Sequence, residues 1–228
     1  MQTLSRIPFF QDVDLNFALF DRRCIWKRCE DGETIIDFED VSSDIYFIIT
    51  GEVRVLIRSA AGKEVILGEI RGGGYFGELS AIDGVPRSAN VTALTRAELC
   101  IMSAAVFREI LFASPIACDK ILRMMAARVR EVNQRLAEHS MLDLKHRLYS
   151  ELLRQAHPRP HQPSARAISP PPFHHVLAAR IGCRREQVTR ELSALSGEGL
   201  IEKTRGAMVI VKPQVLESRL AAALRTAE

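Results

Sequence analysis

The chain has 228 residues, 47% hydrophobic and 26% charged, which suits a folded protein of one large or two small domains. No apolar run reaches the roughly 20 residues that a membrane span requires, and the N-terminus lacks a basic-then-apolar signal pattern. We therefore expect a cytoplasmic protein with no membrane partner. The five cysteines are scattered and contain no C-x-x-C motif, which argues against a disulfide framework and a structural zinc site.

Charge is distributed unevenly along the chain. Residues 1–112 carry 12 basic and 17 acidic side chains, a net charge of −5, whereas residues 113–228 carry 19 and 11, a net charge of +8. All six histidines also lie in the second part. This asymmetry predicts two domains, of which the basic one is a candidate for nucleic-acid binding.

The first thirty residues are interpreted as a helical entry segment, and residues 32–103 as mostly short strands. Residues 53–58 alternate in the two-residue period of a half-buried strand. Four further segments are rich in β-branched or other apolar residues: DIYFIIT (44–50), KEVILGEI (63–70), SANVTALT (88–95) and AELCIMS (97–103). Short strands at this spacing predict a small barrel or roll.

One stretch of small and charged residues, FGELSAIDGVPRSA (76–89), interrupts the strand pattern. It places Glu78 and Arg87 near the two ends of a short loop or helix. The two side chains are either solvated surface charges or partners facing one polar ligand.

Ser114-Pro115 predicts the start of a long helix, with serine as N-cap and proline at the first helical position, and the helix should run to about Met141. Five of its apolar residues are spaced alternately by three and four: Leu122, Met125, Val129, Val132 and Leu136. A narrow seam of this kind favours a partner helix and hence a twofold homodimer. The alternative is a helix that packs on its own domain.

The remaining residues predict a DNA-binding domain. Residues 141–156 form an amphipathic helix, and residues 157–172, with six prolines, are predicted to be a loop. Residues 173–201 have the pattern of two helices joined by a turn at Gly182-Cys183. A strand, turn and strand follow over residues 199–213 and would add a wing.

The second of these helices buries an apolar face and shows a polar face near its start. The polar residues are Arg184, Arg185, Glu186, Thr189 and Arg190. Arginine can bind guanine O6 and N7, and glutamate can accept from cytosine N4, so this face suits base reading in a major groove. The alternative is a helical hairpin with surface arginines.

Taken together, these motifs resemble the cyclic-AMP receptor protein / fumarate-nitrate regulator (CRP/FNR) family of bacterial transcription factors. FGEL…RSA is similar to the phosphate-binding cassette of cyclic-nucleotide domains, and Arg185-Glu186-x-x-x-Arg190 resembles the recognition helix that reads TGTGA-type half-sites. The resemblance implies an α+β fold: a jelly-roll-like β-roll in residues 1–112, a dimerisation helix in residues 113–141 and a winged helix-turn-helix in residues 142–228.

The resemblance also implies a cyclic-nucleotide site. Arg87 and Ser88 would hold the phosphate, because arginine's planar donors suit two phosphate oxygens. Glu78 would accept from a ribose hydroxyl, neutralised by Arg128, and Gly77 would allow close approach of the backbone. Phe76, Leu79 and Ala89 complete the cassette.

At the base-reading positions this chain has Val132 and Asn133, where the best-known cyclic-AMP binders have a Thr-Ser pair. An amide can serve adenine or guanine edges, so cyclic AMP, which we favour, and cyclic GMP both remain open.

The resulting expectation is a homodimeric, allosteric transcription regulator with a cyclic nucleotide as effector, no cofactor and no metal. Double-stranded DNA and RNA polymerase are its expected partners. No catalytic lysine, glycine-rich nucleotide loop or metal motif points to an enzyme. A redox or haem sensor of the same architecture is the less favoured alternative, since Cys24, Cys29 and Cys118 are fewer than the four thiolates of an iron–sulfur cluster.

Overall fold

A computed structural model describes residues 3–59, 62–159 and 162–225. The chain divides into two compact units, Met1–Arg128 and Val129–Glu228. Residues 1, 2, 60 and 61 of the predicted β-roll segment and residues 160, 161 and 226–228 of the predicted DNA-binding segment lie outside the described residues.

The described part of the first unit contains eight strands. Their bounds are β1 (Cys24–Cys29), β2 (Thr34–Ile36), β3 (Ile45–Thr50), β4 (Glu52–Arg58), β5 (Glu64–Arg71), β6 (Tyr75–Phe76), β7 (Asn90–Ala93) and β8 (Ala97–Met102). They form two four-stranded antiparallel sheets with the orders β1-β8-β3-β6 and β2-β7-β4-β5. The predicted β-roll is confirmed.

Strand β3 of the sheet β1-β8-β3-β6 is buried on both faces over residues 45–48, which explains why it is apolar nearly throughout. Ile48 and Leu99 pack with Val53 and Val91 of the other sheet. Their neighbours in sequence, which point to the opposite face, pack with the N-terminal segment and with helices that follow the sheets. Strands covered on both faces lose the alternation of a half-buried strand.

The helices of the first unit only partly follow the prediction. Short 3₁₀ turns at Leu4–Arg6 and Pro8–Phe10 and helix α1 (Phe17–Asp21) precede β1. The interpretation of the first thirty residues as a helical segment is therefore wrong for Cys24–Cys29, which pairs residue by residue with β8. Helices α2 (Glu78–Asp83) and α3 (Ala104–Ala113) follow later in the unit.

Helix α4 (Pro115–Met141) has the bounds predicted from the sequence. The hydroxyl of Ser114 accepts a hydrogen bond from the backbone N–H of Ala117 at 3.2 Å, as an N-cap does. The helix contributes residues to both units, since the division between them follows Arg128.

In the described part of the second unit, four further helices pack around a small sheet. Its elements are α5 (Leu144–Gln155), β9 (His157–Arg159), β10 (Gln162–Ile168), α6 (His174–Ile181), α7 (Arg185–Gly197), β11 (Ile201–Lys203), β12 (Met208–Ile210) and α8 (Pro213–Arg225). The strand order is β11-β12-β10-β9. The predicted helix-turn-helix and wing are α6, α7, β11 and β12.

The prediction of a loop over residues 157–172 is wrong for His157–Arg159 and Gln162–Ile168, because β9 and β10 extend the wing sheet. Residues 169–172 do form a loop, and residues 160 and 161 lie outside the described residues. Ala165 and Ile168 are buried, and β10 pairs with β12. Proline is tolerated here because β9 is an edge strand and its pairing with β10 is irregular between Gln162 and Arg166. Within the described ranges, no helix is both long enough and apolar enough to cross a membrane.

Candidate functional site

The stretch FGELSAIDGVPRSA folds as the end of β6, helix α2 and the return of the chain to β7. Gly77 precedes α2 with a φ of +81°, a conformation that favours glycine. A Cβ atom on Gly77 would lie 2.8 Å from Nη1 of Arg87 and 2.8 Å from the carbonyl oxygen of Asp44. Glycine at this position therefore allows the backbone to approach Arg87.

Arg87 is held inside the first unit by neutral groups. Its Nε donates to the Ser42 hydroxyl at 3.0 Å, its Nη1 to the Gly77 carbonyl at 3.1 Å and its Nη2 to the Asp44 carbonyl at 2.8 Å. The guanidinium also lies over the ring of Tyr46, with Cζ 5.7 Å from the ring centroid. These contacts bring together residues more than forty positions apart.

The charge of Arg87 is buried without a carboxylate partner. Only 2% of the residue is exposed, and among the residues described it forms no ion pair. A buried charge is costly unless it is paired, so a site of this kind favours an anion. A guanidinium has five N–H donors and three of those of Arg87 are used, which leaves two. Two donors are what bidentate binding of an anionic oxygen pair needs.

The second charged group of the stretch, Glu78, is buried and paired. The residue is 2% exposed, and its Oε1 accepts a hydrogen bond from Nη1 of Arg128 at 2.8 Å. Burial, followed by the negative charge of Glu78, raises the pKa of the neighbouring Tyr75 to about 12. Arg128 lies on α4 and keeps 44% of its side chain exposed, so the ion pair reaches the protein surface.

The other cassette residues divide into buried and exposed ones. Phe76 is buried and stacks on Tyr46 with ring centroids 4.9 Å apart, and Ala89 is buried as well. Leu79 and Ser88 are exposed. Phe76 and Ala89 thus belong to the interior of the first unit, whereas Leu79 and Ser88 face solvent.

Val132 and Asn133 belong to the second unit and are exposed on α4. Asn133 directly follows Val132, which is a residue of the predicted seam. Its proposed role in reading a base stays a prediction.

The predicted dimer seam is largely uncovered in the single chain. Leu122, Val129, Val132 and Leu136 are between 57% and 64% exposed. Met125 differs, because it is partly buried against the core of the first unit. A row of exposed apolar residues on a helix is typical of a face that packs on another surface, and the predicted dimer stays a prediction.

The polar face of α7 is exposed as a group, while its apolar face is buried. Val188, Leu192 and Leu195 lie in the core of the second unit. Arg184, Arg185, Glu186, Thr189 and Arg190 are all exposed. The first helical turns of α7 thus present three guanidinium groups and one carboxylate to solvent.

Local contacts fix the start of α7 and the turn before it. The side chain of Gln187 accepts from the backbone N–H of Arg184 at 3.0 Å. Gly182 ends α6 with a φ of +70°, and a Cβ atom there would lie 3.1 Å from the ring of His139. Thr189 is hydrogen-bonded to Nδ1 of His174 at 2.8 Å. Burial, and then Lys203 and Arg185, lower the pKa of His174.

Several residues of these sites were not predicted. Ser42, Asp44 and Tyr46 surround Arg87 but lie in and before β3, where the sequence shows only a strand. A buried arginine needs acceptors, but nothing in the sequence indicates which carbonyls supply them. His174 was also missed, because its contact with Thr189 joins the two helices of the helix-turn-helix.

None of the five cysteines, all of which lie in the described part of the chain, forms a disulfide bond. In the part of the chain that the structure covers, no group of three or more His, Cys, Asp or Glu side chains is arranged to hold a metal.

Comparison with known proteins identifies two domain families in this chain. Residues 26–114 match the cyclic nucleotide-binding domain family, and residues 146–219 match the Crp-like helix-turn-helix domain family. The chain is 30% identical over 206 residues to the cAMP-activated global transcriptional regulator CRP of Salmonella typhimurium, covering 87% of this chain and 95% of that protein. It is also 30% identical over 220 residues to the cAMP-activated global transcriptional regulator Vfr of Pseudomonas aeruginosa, covering 92% and 98%.

A solved structure shares the fold at lower identity. It is that of CLP from Xanthomonas campestris, described as a c-di-GMP responsive global regulator, with a TM-score of 0.68 and 21% identity over 83% of this chain and 94% of that one. The family resemblance inferred from the sequence is thus confirmed over nearly the whole chain, while the roles of individual residues in FGEL…RSA and in 185–190 stay predictions. The chain belongs to the CRP/FNR family, whose members are DNA-binding transcription regulators and not enzymes.

Proposed function

We propose that this chain is a homodimeric transcription regulator that binds a cyclic nucleotide, with cyclic AMP favoured, and in response binds palindromic DNA with TGTGA-type half-sites. RNA polymerase is the partner expected downstream of DNA binding.

The observation that carries the proposal is the buried guanidinium of Arg87, which forms no ion pair with any described residue. A cyclic phosphodiester is a compact monoanion, and its two exocyclic oxygens match the two N–H groups that Arg87 has left. Ser88 would add a hydroxyl donor from its exposed position on the same segment. The bound anion would supply the negative charge that no described carboxylate supplies to Arg87.

Glu78 would bind the sugar. A free carboxylate beside a phosphate would repel it, but Glu78 is paired with Arg128 and so can accept a hydrogen bond from a ribose hydroxyl. Because Arg128 lies on α4, a nucleotide at Glu78 would act on the helix that carries the seam.

Cyclic AMP is favoured over cyclic GMP by the relatives, both of which are named as cAMP-activated. Asn133 does not decide between them, because an amide offers both a donor and an acceptor. A regulator that responds to cyclic GMP, or to both nucleotides, is the alternative. The shared fold of CLP shows architecture alone and does not bear on the effector.

The homodimer is supported by the row of exposed apolar residues on α4. A second copy of α4 would cover that row with its own identical row, because the same residues of both subunits meet in a twofold interface. Two recognition helices would then be available for two half-sites about one helical turn of DNA apart.

Reading of DNA would be done by the polar face of α7. Arg185 and Arg190 would bind guanines and Glu186 would accept from cytosine, which suits the G and C positions of a TGTGA half-site. Ligand control requires that the nucleotide bind the DNA-competent arrangement better than the other one.

Gel retardation with two duplexes tests this function. One duplex contains TGTGA…TCACA and its matched control carries the same bases in scrambled half-sites, each with and without cyclic AMP or cyclic GMP. We expect tight binding only to the first duplex, strengthened by one nucleotide. Equal retardation with and without either nucleotide would reject ligand control, and equal retardation of both duplexes would reject the half-site assignment.

A further inference from the structure

The segment that links β2 to β3, residues 37–44, holds the backbone of Arg87 on both sides. The N–H of Arg87 donates to the carbonyl of Asp40 at 2.9 Å, and the carbonyl of Arg87 accepts from the N–H of Glu39 at 2.9 Å. We name these eight residues the 37–44 segment. It lies outside the cassette that the sequence identifies, yet it fixes the position from which the Arg87 side chain starts.

The same segment also fixes the Arg87 side chain through a hydroxyl. The oxygen of Ser42 accepts from Nε of Arg87 at 3.0 Å and donates to Oδ2 of Asp40 at 3.2 Å. The backbone N–H of Ser42 donates to the other oxygen of Asp40 at 3.3 Å. A serine hydroxyl has one hydrogen, so donation to Asp40 leaves its lone pairs facing Arg87.

This arrangement occupies the edge of the guanidinium that Nε and Nη2 form. With Nε bound to Ser42 and Nη2 to Asp44, the 37–44 segment holds two of the three nitrogen atoms. The Gly77 carbonyl takes one N–H of the third. The planar group is thereby held in one orientation before any anion arrives, and pre-organised donors bind an anion more tightly than donors that must be ordered first.

We propose that Ser42 is a positioning residue for nucleotide binding: it holds Nε of Arg87 so that the remaining N–H groups are aimed at the phosphate. This inference rests on the proposed function, since it assumes that Arg87 binds a cyclic phosphodiester. Ser42 itself need not touch the nucleotide.

Removal of the hydroxyl leaves the buried Nε–H without its acceptor. The guanidinium can then regain a hydrogen bond for Nε–H only by rotating toward another acceptor. That rotation moves the N–H groups that would bind the phosphate out of alignment. We expect S42A to weaken binding of cyclic AMP, or of whichever of the two nucleotides binds, by about tenfold, which corresponds to ~1.4 kcal/mol.

Two further variants separate positioning from a general effect on the segment. S42T keeps a hydroxyl at the same place and should bind within about twofold of the unmodified protein. S43A makes the same chemical change one residue away, at a half-buried serine, and should also bind within about twofold. Calorimetric titration gives the dissociation constants, and thermal unfolding without nucleotide reports whether each variant is folded.

The outcomes distinguish this inference from the function on which it rests. Loss of affinity in S42A alone, with recovery in S42T, supports the positioning role. Wild-type affinity in S42A, or an S42T variant as weak as S42A, would overturn it while leaving the proposed function intact. An unmodified protein that binds neither cyclic AMP nor cyclic GMP would reject the proposed function, and this inference with it.

Discussion

Arg128 donates a 2.8 Å hydrogen bond to Glu78 and so links α4 to α2, fifty positions earlier in the chain. The contact joins a buried carboxylate to a guanidinium that is nearly half exposed. Under the proposed function, a nucleotide at the cassette would act through this ion pair on the helix that carries the predicted dimer seam.

Substitution R128Q should affect both stability and ligand binding. It leaves the buried Glu78 with an amide in place of a charged donor, and we expect a loss of about 1–2 kcal/mol in the free energy of unfolding. Nucleotide affinity should fall about tenfold or more, because an unneutralised carboxylate repels the phosphate. Urea unfolding and calorimetry measure the two effects. R130Q, an exposed arginine on the same helix, is the control, and equal behaviour of the two variants would contradict a special role for Arg128.

Substitution V129E tests the dimer. Val129 is a seam residue and is exposed in the single chain, so glutamate there should leave the fold intact and separate the subunits. We expect light scattering after size exclusion to give about half the mass of the unmodified protein. A127E introduces the same charge at an exposed position off the seam and should remain dimeric. An unmodified protein that is monomeric in solution would contradict the proposed homodimer.

Substitution R185A tests the recognition helix. Loss of one bidentate contact with guanine should cost about 1–3 kcal/mol of affinity for TGTGA-type DNA and relax the preference at one position. R225A removes an exposed arginine from α8 and should change affinity little. Fluorescence anisotropy at fixed salt measures both. If R185A loses as much affinity for scrambled DNA as for TGTGA-type DNA, Arg185 acts as a phosphate contact only.

The second unit contains an ion-pair cluster whose contribution depends on pH. Both carboxylate oxygens of Glu138 accept from Arg154 at 2.7 Å, and Ser150 donates to it as well. Burial acts to raise the pKa of Glu138, but the hydrogen bonds from Arg154 and Ser150 outweigh it, so the pKa lies below its ordinary value of 4.5.

Because the folded-state pKa is depressed, the stabilisation is present above the unfolded-state value and is lost as pH falls through the folded one. E138Q should therefore destabilise the protein at neutral pH, and the difference from the unmodified protein should shrink below about pH 4. Urea unfolding across this range measures it. E131Q, which alters an exposed pair with Arg135 on the same helix, should show a smaller effect, and a pH-independent difference for E138Q would contradict the assignment.

Periodicity and capping identified the elements that are locally encoded. The seam spacing and Ser114-Pro115 located α4 with its observed bounds, and Gly182-Cys183 located the turn between α6 and α7. In each case the signal lies within a few residues of the element that it predicts.

The errors arose where pairing partners are distant in sequence. The proline count of residues 157–172 predicted a loop, but β10 is stabilised by β12, some forty residues later. Cys24–Cys29 likewise becomes a strand by pairing with β8. Local composition could indicate neither partner, and tertiary context overrides local preference in such segments.

The cassette was predictable by its motif but its supports were not. Glu78 and Arg87 stand out as charges within one short stretch of sequence. Ser42 and Asp44 are more than forty residues from Arg87 in sequence and contact it only in the folded chain. Their roles depend on a hydroxyl and a backbone carbonyl, which leave no distinctive pattern in a single sequence.

Calorimetric titration of the unmodified protein and of R87Q with cyclic AMP and cyclic GMP tests the central claim most directly. R96Q, which removes an exposed arginine paired with Glu30, serves as the matched control, and circular dichroism checks that each variant is folded. We expect the unmodified protein and R96Q to bind one nucleotide per chain with equal affinity, and R87Q to bind at least about a hundredfold more weakly, because it loses a charge-assisted bidentate contact. Wild-type affinity in a folded R87Q, or no binding of either nucleotide by the unmodified protein, would contradict the account.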